Sequence, residues 1–138
     1  MTKQQVLILC TGNSARSQMA EGLLRMLTGD RMDVYSAGSK PSVVNPLAIS
    51  AMQQRGIDIS GYRSKHLGEF LQQPFDYVIT VCDNAAETCP IFPGPAQRIH
   101  WSFPDPAAVE GDESTKLAVF MNVRDDLETM LAEWVAGL

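Results

Sequence analysis

The chain has 138 residues, 45% of them apolar, and its 11 basic and 16 acidic side chains give a formal charge of −5. One domain over 1–138 is expected, and charges of both signs are mixed along it, so neither a nucleic-acid face nor an anionic-membrane face is indicated and any bound anion must be held by local groups. No apolar run approaches the roughly 20 residues that span a bilayer, and the first five residues lead into a short run lacking a signal-peptide cleavage pattern, which points to the cytoplasm.

Short apolar runs alternate with helix-period segments, the pattern of a parallel α/β sheet. "VLILC" (6–10) is the first predicted strand. A helix follows over 17–27, where Met19, Leu23 and Met26 recur at helical spacing with Ala20, Leu24 and Leu27 beside them. "VYSAG" (34–38) is the second strand. Asn45 as N-cap, Pro46 at the first helical position and Gly56 just past the end bracket a helix carrying Leu47, Ile49 and Met52. "DYVITVC" (76–82) and "QRIHW" (97–101) are the remaining strands, and the segments 83–96 and 102–114 are rich in loop formers. From about residue 115 a last helix carries Phe120, Val123, Leu127, Met130, Leu131 and Trp134, a stripe read as core packing. The expected fold is α/β, a single three-layer domain with a four-stranded parallel sheet flanked by helices.

An odd number of thiols, Cys10, Cys82 and Cys89, in a reducing compartment does not suggest a structural disulfide with a spare, so each needs a packing, metal or chemical role. Cys10 and Arg16 are separated by five residues, between a strand end and a helix start. That placement suits an anion cradle over Thr11, Gly12, Asn13, Ser14, Ala15, Arg16 and Ser17. The N–H groups of a tight loop closing into a helix N-terminus point inward, the helix dipole favours negative charge there, and Gly12 and Asn13 tolerate positive φ. Arg16 adds a planar fork for an oxyanion, and the same field favours a thiolate at Cys10. The competing reading is a buried strand-end cysteine near a surface arginine.

Two extra thiols suggest redox chemistry. Cys82 closes a strand, and functional groups collect at the carboxyl ends of parallel strands, where Cys10 also lies. Cys89 follows in a proline-rich loop, and since a disulfide needs Cα atoms within roughly 7 Å, joining it to Cys82 would ask that segment to reshape. Cys82 as a buried apolar residue and Cys89 as a neutral loop thiol remain open. No metal site is expected, because no Cys-x2-Cys spacing occurs and His66 and His100 lack ligand spacing, so both read as structural. Asp105-Pro106 on its own is a common turn starter.

With Cys-x5-Arg-Ser near the N-terminus and Asp105-Pro106 far downstream, the chain resembles the low-molecular-weight tyrosine phosphatase fold along essentially its whole length. "CTGNSARSQMAEG", "VYSAG", "VITVCDNAAETCPIFPG" and "HWSFPDPA" are most similar to the thioredoxin-coupled arsenate reductases of that superfamily. The resemblance implies Cys10 as nucleophile, Arg16 as oxyanion ligand, Ser17 as the hydroxyl that steadies the thiolate, Asp105 as general acid, and Cys82 and Cys89 as a redox relay. Arsenate would add to Cys10, a Cys10–Cys82 disulfide would form as arsenite leaves, and a Cys82–Cys89 disulfide would then pass to thioredoxin. Phosphate or sulfate would mimic the substrate, no cofactor is needed, and a monomer is expected. Ala15 departs from relatives that carry a further cysteine there.

Some relatives hold a potassium ion near the loop. Asn13, Glu21 and Ser36 match ligand positions, but Lys65 replaces an acidic residue, so its ammonium is expected to take the cation's place beside Glu21. The alternatives are a tyrosine phosphatase, a non-catalytic oxyanion or redox sensor, and a glutaredoxin-linked reductase in which glutathione replaces Cys89. Against the phosphatase, Ala107-Ala108 follow Asp105-Pro106 and supply no aromatic wall for an aryl substrate.

Overall fold

Strand β1 (Gln4–Cys10) is buried at every residue from Val6 to Cys10. A strand covered on both faces of a parallel sheet needs such an unbroken apolar run. In the computed structural model, which describes residues 3–83 and 87–138, β1 lies between β2 (Met32–Gly38) and β3 (Tyr77–Thr80), with β4 (Gln97–His100) outside β3. All pairings are parallel and the order is β2-β1-β3-β4. The chain therefore leaves β1 towards one side and later returns to its other side. Such a switch point opens a crevice at the carboxyl ends of the central strands, where Cys10 ends β1.

Alternate residues of β1 feed two cores. Val6, Ile8 and Cys10 pack with Met19 and Leu23 of α1 (Arg16–Thr28), Ala48 and Met52 of α2 (Pro46–Gln54), and Phe120 and Leu127 of α3 (Glu113–Ala136). Leu7 and Leu9 face Ala37, Phe70, Phe75, Val78 and Phe92. All three α-helices thus serve the first face. The second is covered by the 3-10 segment Leu67–Phe70 and an aromatic series in which Tyr35–Phe70, Phe70–Phe75 and Phe75–Phe92 centroids lie 5.6, 6.1 and 5.6 Å apart. Gly68 and Pro74 break any longer helical period there, so aromatic area does the covering.

The expected architecture is observed, with adjusted boundaries. Asn45 caps α2 by accepting from the Leu47 N–H at 2.9 Å, and Gly56 follows the helix with φ of +83°. Asp112 caps α3 through the Thr115 N–H at 2.8 Å, which starts that helix at Glu113. Cys82 does not end β3 but stands two residues beyond it. The segment 102–114, expected as loop, contains the 3-10 segment Pro106–Ala108. Residues 84–86 of the expected loop 83–96 lie outside the described residues. Among the described residues no helix is long and apolar enough to cross a membrane.

Candidate active site

The loop from Thr11 to Ala15 is tied down through its carbonyl oxygens. Thr11 O accepts from the Lys40 N–H at 2.9 Å, Gly12 O from the Ser64 hydroxyl at 3.0 Å, Asn13 O from Gln18 Nε2 at 3.1 Å, and Ser14 O from the Asn45 N–H at 2.9 Å. Peptide planes whose carbonyls are drawn outward turn their N–H groups towards the enclosed space. Asn13 adopts φ of +44°, the one positive φ of a non-glycine residue among the described residues. Its short amide side chain makes that conformation tolerable, as the sequence suggested, whereas Gly12 does not use it. Ala15 at the N-cap of α1 supplies no side-chain cap, which leaves the first-turn N–H groups for a ligand.

Gly38 explains how closely the loop can sit. A Cβ there would lie 2.4 Å from Thr11 O, 2.9 Å from Asn13 N and 3.0 Å from Cys10 O. The end of β2 must be glycine for the loop to close over it, a role invisible in the strand pattern "VYSAG".

A buried polar chain runs from the thiol inward. Cys10 Sγ and Ser17 Oγ are 2.8 Å apart, and the Asn13 amide nitrogen donates to Ser17 Oγ at 2.7 Å and to Ser36 Oγ at 3.0 Å. Ser36 in turn donates to Glu21 Oε1 at 2.6 Å. Asn13 fills one lone pair of Ser17, and towards a Cys10 thiolate, which can only accept, the hydroxyl is the donor.

Glu21 is 4% exposed and sits between two cations: Arg25 at 2.8 Å from Oε2 and Lys65 Nζ at 3.9 Å from Oε1. Lys65 Nζ also donates to Arg63 O at 2.9 Å. Burial, aided by Arg63 and Arg25, pushes the Lys65 ammonium below its ordinary pKa against the opposing pull of Glu21. Asn13 Oδ1 accepts from the Lys65 N–H and from Gln18 Nε2, each at 2.9 Å. The oxygens that a potassium ion would use are thus already partnered, and an ammonium stands beside Glu21, so this set does not fit an added cation.

Arg16 closes the cavity above Cys10 and is 4% exposed. Its NH1 donates to Phe103 O at 3.0 Å and to Glu87 Oε1, and NH2 donates to Glu87 Oε2 at 3.1 Å. Burial works to lower the guanidinium pKa, but the Glu87 hydrogen bond and the charges of Cys10, Glu87 and Asp105 outweigh it and leave it raised. Glu87 shows the converse: partial burial favours its neutral acid, yet Arg16, the Asp83 N–H and Thr11 hold its carboxyl below the usual range. Asp105 lines the same cavity and accepts from the Ala107 N–H at 3.0 Å as N-cap of its short turn.

Cys82 and Cys89 are joined as a disulfide with Cα atoms 5.9 Å apart, while Cys10 is free and buried. Thr11, Gly12, Ser14, Ala15, Arg16 and Asp105 therefore line one cavity with Cys10 at the end of β1, Asn13 and Ser17 lie buried behind it, and Cys82 packs in the same core as Cys10. His66 and His100 hold structural contacts, His66 Nδ1 accepting from the Gly68 N–H and His100 Nδ1 pairing with Thr80 Oγ1. Sequence reasoning missed Glu87, Gly38 and Ser42, the last of which lines the cavity and donates its N–H to Gly12 O at 3.3 Å. A lone acidic residue between two cysteines has no periodic or spacing signal, and the bond it makes spans 71 residues.

A family model described as low molecular weight phosphotyrosine protein phosphatase matches residues 5–138. An arsenate reductase of Halalkalibacterium halodurans is 49% identical over 127 residues, covering 92% of this chain and 91% of that protein. Among solved structures, an arsenate reductase in an oxidised state superposes with a TM-score of 0.81 at 31% identity, over 97% of this chain and 98% of that one. A thioredoxin-dependent arsenate reductase of Corynebacterium glutamicum superposes with a TM-score of 0.74 at 28% identity, over 98% of this chain and 61% of that one.

Proposed function

The chain belongs to the low molecular weight phosphotyrosine protein phosphatase family, and from that premise we propose that it reduces arsenate to arsenite by a three-cysteine relay regenerated by thioredoxin, as a step in arsenic detoxification. The observation that carries this reading is the pairing of Cys82 with Cys89 while Cys10 stays free beside Ser17. A phosphatase needs one thiol and an acid; a bonded pair next to that thiol serves electron transfer.

Arsenate occupies the N–H cradle and the Arg16 fork. The Cys10 thiolate, steadied by the Ser17 hydroxyl, attacks arsenic, and Asp105 protonates the oxygen that departs as water. Cys82 then attacks the Cys10 sulfur. The sulfur–arsenic bond breaks with its electron pair left on arsenic, so As(V) becomes As(III), arsenite leaves and a Cys10–Cys82 disulfide remains. Cys89 attacks Cys82, releasing Cys10 as a thiolate and forming the Cys82–Cys89 disulfide. Thioredoxin, at roughly −270 mV, reduces that bond by exchange with its own dithiol. Lys65 supplies the positive charge beside Glu21, so no step passes through a metal. The enzyme works as a single-domain monomer in the cytoplasm, where a reducing partner keeps the relay turning.

The test is NADPH oxidation with thioredoxin and thioredoxin reductase, with and without arsenate, for wild type, Cys82→Ser and Cys89→Ser. Arsenate-dependent turnover is expected in the wild type and absent in both variants. Turnover that persists in Cys89→Ser with glutathione and glutaredoxin would reassign the reductant. Aryl phosphate hydrolysis surviving both substitutions, without arsenate turnover, would make the protein a phosphatase.

A further inference from the structure

The cradle already holds an anion of the chain's own. Glu87 Oε2 accepts from Thr11 Oγ1 at 3.0 Å and Arg16 NH2 at 3.1 Å, while Oε1 accepts from the Asp83 N–H at 2.7 Å and from Arg16 NH1. Arg16 presents its planar fork to both carboxylate oxygens, the geometry it would offer two oxygens of a tetrahedral oxyanion. The Glu87 side chain is 20% exposed, so this is a pairing partly withdrawn from solvent. Asp105, the other carboxylate at the cavity, is held by its own turn and does not take this position.

Glu87 belongs to the ring closed by the Cys82–Cys89 bond. The two cysteines are seven residues apart, and Glu87 stands inside that ring, two residues before Cys89. Its backbone N–H donates to Asp83 O at 2.9 Å and its carboxylate accepts from the Asp83 N–H, so the residue is pinned to the Cys82 side as well. A ligand group tethered this way acts at a local concentration on the order of millimolar or more.

We propose that Glu87 is a surrogate oxyanion: while Cys82 and Cys89 are bonded, its carboxylate occupies Arg16 and Thr11 and bars tetrahedral oxyanions from the cradle, and reduction of that bond frees the site. The inference rests on the proposed relay for its biological sense. An enzyme whose relay is closed has no electrons to give, and a bound arsenate or phosphate would only idle on it. By holding Arg16, Glu87 keeps the oxidised form free of competing phosphate until a dithiol has restored the three thiols. A ligand that binds one state better than the other stabilises that state, so oxyanion affinity and the ease of disulfide reduction are linked.

The experiment is calorimetric titration of inorganic phosphate into the protein with the Cys82–Cys89 bond intact and after reduction with dithiothreitol, for wild type, Glu87→Gln and Glu87→Asp. In wild type, reduction is expected to tighten phosphate binding at least about tenfold, within the usual range of coupling between sites. In Glu87→Gln the ratio between the two states should fall to within about twofold, mainly because the oxidised form gains affinity. Glu87→Asp, one methylene too short to span the fork, should behave like Glu87→Gln. Equal affinity in the two states of wild type overturns the proposal without reference to any variant, and so does a ratio preserved in both variants. Phosphate binding requires no turnover. Loss of arsenate reduction with the ratio intact would remove the proposed function and leave this coupling standing, and the reverse result would remove only the coupling.

Discussion

The sulfur of Cys10 and the hydroxyl oxygen of Ser17 lie 2.8 Å apart, and both residues are buried. The Asn13 amide donates to that hydroxyl oxygen, so Ser17 is held beside the sulfur before substrate arrives. A hydrogen bond to a charged group contributes about 1.5–3 kcal/mol, so Ser17→Ala should lower the rate of the Cys10 step roughly 10- to 100-fold. Single-turnover arsenate reduction measures it.

Gly38 is a second test of how the loop is held. Its hypothetical Cβ meets three backbone atoms of the cradle, the nearest at 2.4 Å, and backbone cannot swing aside as a flexible side chain can. Gly38→Ala should cost about 1–3 kcal/mol of stability by overpacking and displace the loop carbonyls. Thermal melts would show the loss, and phosphate titration of the reduced variant should show weakened binding. A variant with unaltered melting and binding would mean that the loop has slack the contacts do not suggest.

Lys65 makes a prediction about salts. With its ammonium beside Glu21 and the neighbouring oxygens committed, exchanging potassium for sodium chloride at equal ionic strength should leave kcat/KM within about twofold, since screening depends on ionic strength and not on the cation's identity. A gain of several-fold specific to potassium would show that a cation binds after all.

The pH dependence of the Glu87 contact follows from its lowered carboxyl pKa. A carboxylate whose folded-state value lies below the ordinary 4.5 contributes stability that is fully present above that value and is lost as pH falls through the lowered one. In the oxidised protein, the melting-temperature difference between wild type and Glu87→Gln should therefore be full near neutrality and shrink on acidification below the ordinary glutamate range. Paired melts across that range check the sign. A difference that grows with acid would mean that the protonated form is the better partner of Arg16.

Much of the fold was legible because its signals are local. The unbroken run of β1 announces a strand covered on both faces, Asn45, Pro46 and Gly56 mark the ends of α2 with their own backbone requirements, and the α3 stripe repeats from Phe120 to Trp134 within a helix of 24 residues. Where boundaries shifted, short-range chemistry was outweighed. Cys82 continues an apolar run, but the ladder of β3 with β1 and β4 ends at Thr80, so the residue falls beyond the strand, buried in the core. The second face of the sheet gave no periodic cue, because separate aromatics from four places along the chain cover it.

The sequence by itself determined the cysteine–arginine spacing at a strand-to-helix turn, and with it the expectation of an anion cradle above a thiol, because such a loop is built from consecutive residues whose conformational preferences are their own. Only the tertiary structure decided which groups meet that cradle. Gly38 lies beneath it, Lys65 reaches Glu21 behind it, and Glu87 fills the fork of Arg16 across 71 residues. Those meetings are set by strand order and by how the connecting loops pack across the strand ends. A carboxylate's choice of partner depends on distance and shared burial in three dimensions, which residue order does not encode.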